Sequence, residues 1–470
     1  MAGSASFEER AHRAISNPRL QAALDAVTLS FKEKRRAAFE TLPDAEALKD
    51  RARQIRDHTF RNLPRHLIEL EEKVRANGGH VFWAESAEDA CRYAVTLAKA
   101  RGVRRVVKSK SMASEEIELN HAFEAAGIEA LETDFGEWLI QMAGERPSHI
   151  IAPAIHRGRR EVAELLREKT GEEVAADDVG AMTELARRRL RPEFLRAEMG
   201  VTGVNFAVAE TGSIVLVTNE GNGRLVSTLP RIHLAIMGIE KVLPTLEDLM
   251  LFLRLLPRSA TGQKCSAYVS FLTGPRRSGE GDGPEEFHLV IMDNGRSQHL
   301  ADDFREGFFC IRCGACLNVC PVYREVGGHA YGSVYPGPIG SIFTPMLEGV
   351  EEAGELAFAS SLCGACEEAC PVRLDIPKLL IETRERAQRA GITPLKERLA
   401  FRLLGLILRS KPLYVLASRL GRLLLLPFVK EGRIRSLPYP ASRWTDFRDL
   451  PPIAKRPFRS RWKELVREDG

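Results

Sequence analysis

Long apolar runs are missing from this 470-residue chain. No stretch approaches the roughly 18 apolar residues that a bilayer-spanning helix needs. The opening Met-Ala-Gly-Ser-Ala-Ser-Phe-Glu-Glu-Arg has no basic segment followed by an apolar one, so no export signal is expected. Charge of one sign is scarce too: 68 Lys and Arg stand against 64 Asp and Glu, a net of +4, which gives no nucleic-acid signal. No G-x-G-x-x-G loop follows a strand, so a hydride-carrying cofactor is expected elsewhere, on a partner or in a site that no motif marks. Only two of nine cysteines, Cys91 and Cys265, lie outside residues 310–370. Such clustering excludes a disulfide framework and implies a reducing, cytoplasmic setting. Those two are expected to be buried free thiols.

The other seven carry the strongest pattern in the chain. The first run reads Cys310-Ile-Arg-Cys313-Gly-Ala-Cys316-Leu-Asn-Val-Cys320-Pro321, the second Ser360-Ser-Leu-Cys363-Gly-Ala-Cys366-Glu-Glu-Ala-Cys370-Pro371. The first is the C-x2-C-x2-C-x3-C-P run of bacterial iron–sulfur proteins. Three thiolates two residues apart, on a loop that wraps back, reach three corners of one cubane. A fourth, three residues on, points away and reaches a second cluster. The crossed pattern assigns Cys310, Cys313, Cys316 and Cys370 to a first cluster, and Cys320, Cys363 and Cys366 to a second. Ser360 stands where the second cluster's fourth thiolate belongs. The expected cofactors are one [4Fe-4S] cluster and a second that is either [3Fe-4S] or [4Fe-4S] with a non-cysteine or open ligand. Structural zinc is the plainer alternative, but repeated close-set runs, each followed by proline, fit its spaced C-x-x-C pairs badly.

Periodicity divides the chain into four parts. Residues 1–75 read as a charged N-terminal helical arm: Leu20, Ala23, Leu24 and Val27 recur at helical spacing, and Thr41-Leu-Pro-Asp44 signals a helix start. The basic run Lys32 to Arg36 reads as a solvated face. Residues 76–300 alternate strand and helix, which implies βαβ units and a mostly parallel sheet. Strands are expected at 79–84, 104–109, 128–133, 148–152, 204–209, 213–218, 266–272 and 287–292, with 156–200 helical and loop-like. Residues 301–390 hold the cysteine module, and 391–470 a basic helical C-terminal domain. That last part has 18 Lys and Arg against 7 Asp and Glu, a local net of +11. Such asymmetry points to a surface docked on an acidic partner or anionic lipid, with a packed tail bearing solvated basic faces as the plainer reading.

Beyond the cysteines, candidate chemistry is sparse. Glu210, on a turn after a strand, is a possible acid, base or nucleophile, with a turn-stabilising role the plainer reading. The loop Gly221-Asn-Gly223-Arg224 has backbone N–H groups for a phosphate but no fuller signature. His156 and His233 lack partners at ligand spacing and read as structural. Lys108, Lys110 and Arg157 to Arg160 face either an anionic substrate or solvent.

Together, Ala209-Glu-Thr-Gly-Ser213, Leu229-Pro-Arg231-Ile-His233 and the seven-cysteine tail resemble the lactate-utilization iron–sulfur protein B family, over nearly the whole chain. The resemblance implies an α/β lactate-utilization domain, similar to ribose-phosphate isomerases and CoA transferases, followed by an α-helical ferredoxin module. Members share the shortened second cysteine run. It also implies a complex oxidising L-lactate to pyruvate with two companion subunits, one cysteine-rich and one a smaller relative of the α/β domain. Oxidising a 2-hydroxy acid releases two electrons and clusters move one at a time, so an electron-transfer subunit is expected rather than an enzyme active alone. Two other readings stand beside it: the same electron chemistry serving another 2-hydroxy acid or glycerol 3-phosphate, and an α/β enzyme or redox sensor with structural clusters. Peripheral contact with the inner membrane face through the basic tail is a further expectation.

Overall fold

Four helices open the chain in a computed structural model that describes residues 5–439, 441–446, 448–454, 456, 458 and 461–462. They are α1 (Phe7–Ile15), α2 (Pro18–Glu40), α3 (Ala45–Arg61) and α4 (Leu63–Ala76). The local signals are conventional. Ser6 and Glu9 form a reciprocal capping box on α1, and Asn17 caps α2 with Pro18 in its first turn. These helices do not stand apart as an arm. α2 packs on the helix Leu246–Ala260 of the α/β region and also on the short helices of the first cysteine run. Arg56 of α3 is buried, with Nη2 donating to Glu240 O and Phe308 O, both at 2.7 Å. The basic run is not wholly solvated: Arg35 Nη2 donates to Ala369 O at 2.8 Å, and its guanidinium lies over the Phe39 ring.

Ten strands follow: β1 (His80–Ala84), β2 (Arg105–Lys108), β3 (Glu129–Glu132), β4 (Met199–Gly203), β5 (Phe206–Val208), β6 (Ser213–Thr218), β7 (Ile232–Gly238), β8 (Val242–Leu243), β9 (Tyr268–Leu272) and β10 (Glu286–Met292). Six form a sheet in the order β1-β10-β7-β4-β2-β3, parallel at every pairing. The α/β expectation is met. A parallel sheet is covered on both faces, so its inner strands show no alternation of apolar and polar residues. Every residue of β7 is buried, and apolar clusters line both sides of the sheet. A second sheet, β8-β5-β6-β9, is mixed: β5 and β6 form an antiparallel hairpin around the Glu210–Gly212 turn.

Several expectations are corrected. β4 and β7 occupy stretches that showed no strand pattern. Residues 148–152, expected as a strand, form bends and unpaired chain. Cys265 is exposed and Cys91 only half-buried.

Past β10 the chain is helical. A short helix lies within each cysteine run, Ala315–Asn318 and Ala365–Glu368, with Gly337–Glu348 between them and Ile376–Arg389 after. Chain contacts divide the molecule into two compact units, Met1–Ile392 and Thr393–Gly470. In the second unit, helices Leu395–Arg409 and Lys411–Leu425 pack on one another, and neither contains a buried residue. A hairpin of two-residue strands, Val429–Lys430 with Arg433–Ile434, and a short helix, Ser442–Thr445, follow, with Ile434 buried.

Replacing Arg56 with Leu leaves three buried carbonyls, of Val242, Glu240 and Phe308, without this donor. At about 1–3 kcal/mol for each unsatisfied buried group, unfolding free energy should fall by about 3 kcal/mol. A urea midpoint matching the wild type would contradict a clamping role for α3.

Candidate metal centre

The two cysteine runs share one backbone. In the first, Arg312 (φ +59°) and Gly314 (φ +72°) are left-handed and a short helix starts at Ala315. In the second, Leu362 (φ +53°) and Gly364 (φ +83°) are left-handed and a short helix starts at Ala365. The repetition reaches the hydrogen bonds. Arg312 N donates to Cys310 Sγ at 3.4 Å, and Leu362 N donates to Ser360 Oγ at 3.2 Å. Ser360 therefore occupies the second loop's equivalent of the Cys310 position.

Cys310, Cys313, Cys316 and Cys370 line a small cavity together with Ile150, Ile339 and Ile376. Cys320, Cys363 and Cys366 lie outside that lining and interact electrostatically with one another, Cys366 also with Cys316. Backbone N–H groups point at the sulfurs: Tyr323 N to Cys320 Sγ at 3.4 Å and Leu374 N to Cys370 Sγ at 3.3 Å. Burial pushes the Cys313 and Cys366 thiols up to about 12 and Cys370 up to about 11. Thiolates here need a counter-charge, which an iron–sulfur cluster supplies, and the donated N–H groups suit sulfur ligands. The residues present fit such a group. Cys363 differs: it is exposed, and the Ala365 N–H and the Ser361 hydroxyl lower its pKa.

Charged side chains join the first loop to the sheet. Arg312 Nη2 lies 3.4 Å from Glu240 Oε1, and its guanidinium sits 3.6 Å from the Phe343 ring centroid. Glu240 Oε2 accepts from Arg296 Nε at 2.9 Å, and Arg296 Nη2 pairs with Glu116 Oε2 at 2.7 Å. Burial alone would raise the Glu240 pKa, but Arg296 and Arg312 hold it at about 2. The first loop is thus seated on the residues just after β7.

Two family models match the chain, a LUD domain over residues 67–292 and a 4Fe-4S dicluster domain over residues 307–374. Lactate utilization protein B 2 of Bacillus mycoides is 45% identical over 458 residues, 97% of this chain and 96% of its own. Lactate utilization protein B of Bacillus cereus and of Bacillus thuringiensis are each 45% identical over 459 residues, 97% of both chains. This chain belongs to the lactate utilization protein B family. A solved DUF162 family protein from Deinococcus radiodurans matches at 16% identity over 49% of this chain and 98% of its own, with a TM-score of 0.27.

In this family member the other candidates take structural places. Glu210 Oε1 accepts from Leu246 N, at the start of a helix. The Gly221–Arg224 loop is the first turn of the helix Asn222–Thr228, and Arg224 lies over the Tyr268 ring. His233 is buried against Thr202 Oγ1 at 2.9 Å, and burial pushes its pKa down to about 3. His156 pairs with Glu145 at 2.8 Å, and Arg157 pairs with the same carboxylate at 2.5 Å. Lys108 is buried against Glu132 at 2.6 Å, while Arg159 and Arg160 are exposed.

His149 is the residue that sequence reasoning missed. It lies in the misread 148–152 segment, buried, with burial driving its pKa down to about 3. Its Nδ1 accepts from Ile151 N at 3.1 Å, so neutral Nε2–H donates to Asn318 Oδ1 at 3.2 Å. Tyr323 OH donates to Ser148 O at 2.7 Å. This segment braces the first cysteine loop. A periodic pattern has no means of showing it, because the contact spans 169 residues of sequence.

A Cβ on Gly314 would meet His149 Cε1 at 3.0 Å, while one on Gly364 meets nothing within 4 Å. Both positions carry a left-handed penalty of about 1–2 kcal/mol. Gly314→Ala should therefore lose bound iron and melt earlier than Gly364→Ala. Equal iron content in the two variants would show that His149 does not hold the loop.

Proposed function

We propose that this chain is the iron–sulfur electron-transfer subunit of a complex that oxidises L-lactate to pyruvate, allowing lactate to serve as a carbon source. The observation that carries the reading is the cavity lined by Cys310, Cys313, Cys316 and Cys370, which brings a thiol from the second run to three from the first. Those four would hold one cluster, and Cys320, Cys363 and Cys366 a second that lacks a thiolate at Ser360. When bound, such clusters accept and pass on single electrons, as a two-electron oxidation with no hydride carrier of its own requires. The relatives' names support lactate as the fuel. Its partners are the two companion subunits, one cysteine-rich and one a smaller α/β-domain protein, and the α/β body spans residues 76–300.

The second unit supports a place at the membrane surface. Among the described residues no helix is long and apolar enough to cross a membrane. Fifteen large apolar side chains between Leu395 and Phe428 are nevertheless exposed, Leu424 by 71% and Leu395 by 68%. Residues 395–425 carry seven Lys and Arg against one Glu. Apolar side chains beside basic ones on helices of this length fit a helix pair lying in the interface of an anionic bilayer.

Three measurements test these readings. Cys313→Ala should lose the first cluster and abolish growth on L-lactate while sparing growth on glucose; normal growth with full iron content would sink the electron-transfer role. Ser360→Cys should bring the total towards about eight irons per chain and remove any three-iron EPR signal from oxidised protein. Two oxidation-stable four-iron clusters in the wild type would overturn that ligand assignment. The full chain should co-sediment with phosphatidylserine vesicles and release as salt shortens the screening length below about 8 Å. Leu406→Asp with Leu424→Asp should abolish that binding, and unchanged co-sedimentation of the double variant would rule out the helix pair as the anchor.

A further inference from the structure

A cavity in the α/β body lies outside the C-terminal ends of the parallel strands. Its volume is about 380 Å³. The chain runs from β2 outward to β3, then returns to β4 on the other flank of β2, so the connections leaving β2 and β4 diverge. Such a reversal of strand order opens a ligand crevice in parallel α/β sheets. The segments 109–113 after β2 and 203–205 at the end of β4 both line the cavity. They close tightly at its floor, where a Cβ on Gly203 would stand 2.7 Å from Ser111 Oγ.

Three cations line this space: Lys110 after β2, Lys241 after β7 and Arg312 from the first cysteine loop. Lys110 Nζ and Arg312 Nη1 are buried with no hydrogen-bond partner. A buried cationic donor left unpaired is expensive, and two in one cavity point to an absent acceptor. Burial pushes the Lys241 ammonium down to about 8, against the pull of Glu240. Two acids also line the cavity, but both carboxylates are engaged at the start of the helix Phe135–Ala143. Asp134 Oδ1 accepts from Gly136 N and Glu137 N, and Glu220 Oε2 accepts from Phe135 N. Glu137 is also near Lys110, though no hydrogen bond joins them. With Glu240 paired to Arg312, and Asp134, Glu137 and Glu220 near Lys110, little positive charge is left over, which suits a monoanion better than a phosphate dianion. Apolar Leu256, Pro257 and Ala260 on one side leave room for an alkyl group.

We infer that this cavity binds a small monocarboxylate of the 2-hydroxy or 2-oxo acid class, its carboxylate held by Lys241 and Arg312 with Lys110 on the wall. The inference rests on the proposed role in lactate oxidation and deepens it. Ile150 lines both this cavity and the one formed by Cys310, Cys313, Cys316 and Cys370, so the two cavities share part of a wall. The volume exceeds that of a three-carbon acid, so a longer 2-hydroxy acid should enter as well.

Calorimetric titration of the anaerobically purified full chain tests this, with L-lactate, pyruvate, 2-hydroxybutyrate, inorganic phosphate and glycerol 3-phosphate as separate probes. The carboxylates should bind with Kd of about 1 mM or tighter. Lys110→Met and Lys241→Met should each weaken binding by about tenfold or more, the scale of a lost charge-assisted bond, while iron content and melting temperature stay at wild-type values. If either variant fails to fold, Lys110→Arg and Lys241→Arg, which keep the charge, should bind within a few-fold of wild type. No carboxylate binding at about 10 mM, binding unaffected by the Met variants, or binding of the phosphates instead would each overturn the inference. Because the readout is binding, a negative result leaves the electron-transfer role standing. Loss of that role through the Cys313→Ala growth test leaves the titration interpretable.

Discussion

Arg296 sits fully buried between Glu116 and Glu240, and Arg312 continues the line of charge into the first cysteine loop. Breaking such a buried set by removing one member costs about 3–5 kcal/mol, because the remaining charges lie out of reach of water. The line ties four separate parts of the chain at one point. Glu116 ends the short helix after β2, Glu240 follows β7, Arg296 follows β10, and Arg312 lies between two cysteines. Arg56 of α3 adds a fifth by donating to Glu240 O. The metal centre and the sheet therefore share a rigid joint. The carboxylates satisfy guanidiniums, and one guanidinium keeps a free Nη1 at the cavity wall.

The cysteine module was legible because its chemistry is local. Four cysteines within eleven residues mark iron–sulfur chemistry without tertiary information, whereas the approach of Cys370 to the first run appears only in the fold. The two unpredicted strands illustrate the opposite case. β4 reads Met-Gly-Val-Thr-Gly, and β7 carries His233 and ends in glycine. Both faces of each are covered, so neither shows the two-residue alternation that marks a half-buried strand. The 148–152 segment failed in the other direction. Its apolar run is buried against a loop rather than paired in a sheet, and hydrophobicity alone does not tell these apart. The cavity cations were named among basic residues or not at all, since Lys110, Lys241 and Arg312 meet only through the strand order.

The two cysteine loops are the same turn made twice, down to the left-handed residues and the N–H directed at the leading side chain. That likeness makes Ser360 informative. The second loop keeps the backbone of a full ligand loop, so its missing thiolate is a difference of one atom and not of architecture.

Exposure separates one cysteine from the other six. Cys313, Cys316, Cys320, Cys366 and Cys370 are buried and Cys310 is half-buried, while Cys363 opens to the outside. Among these seven thiols Cys363 is therefore the one that oxygen, chelators and thiol reagents meet first.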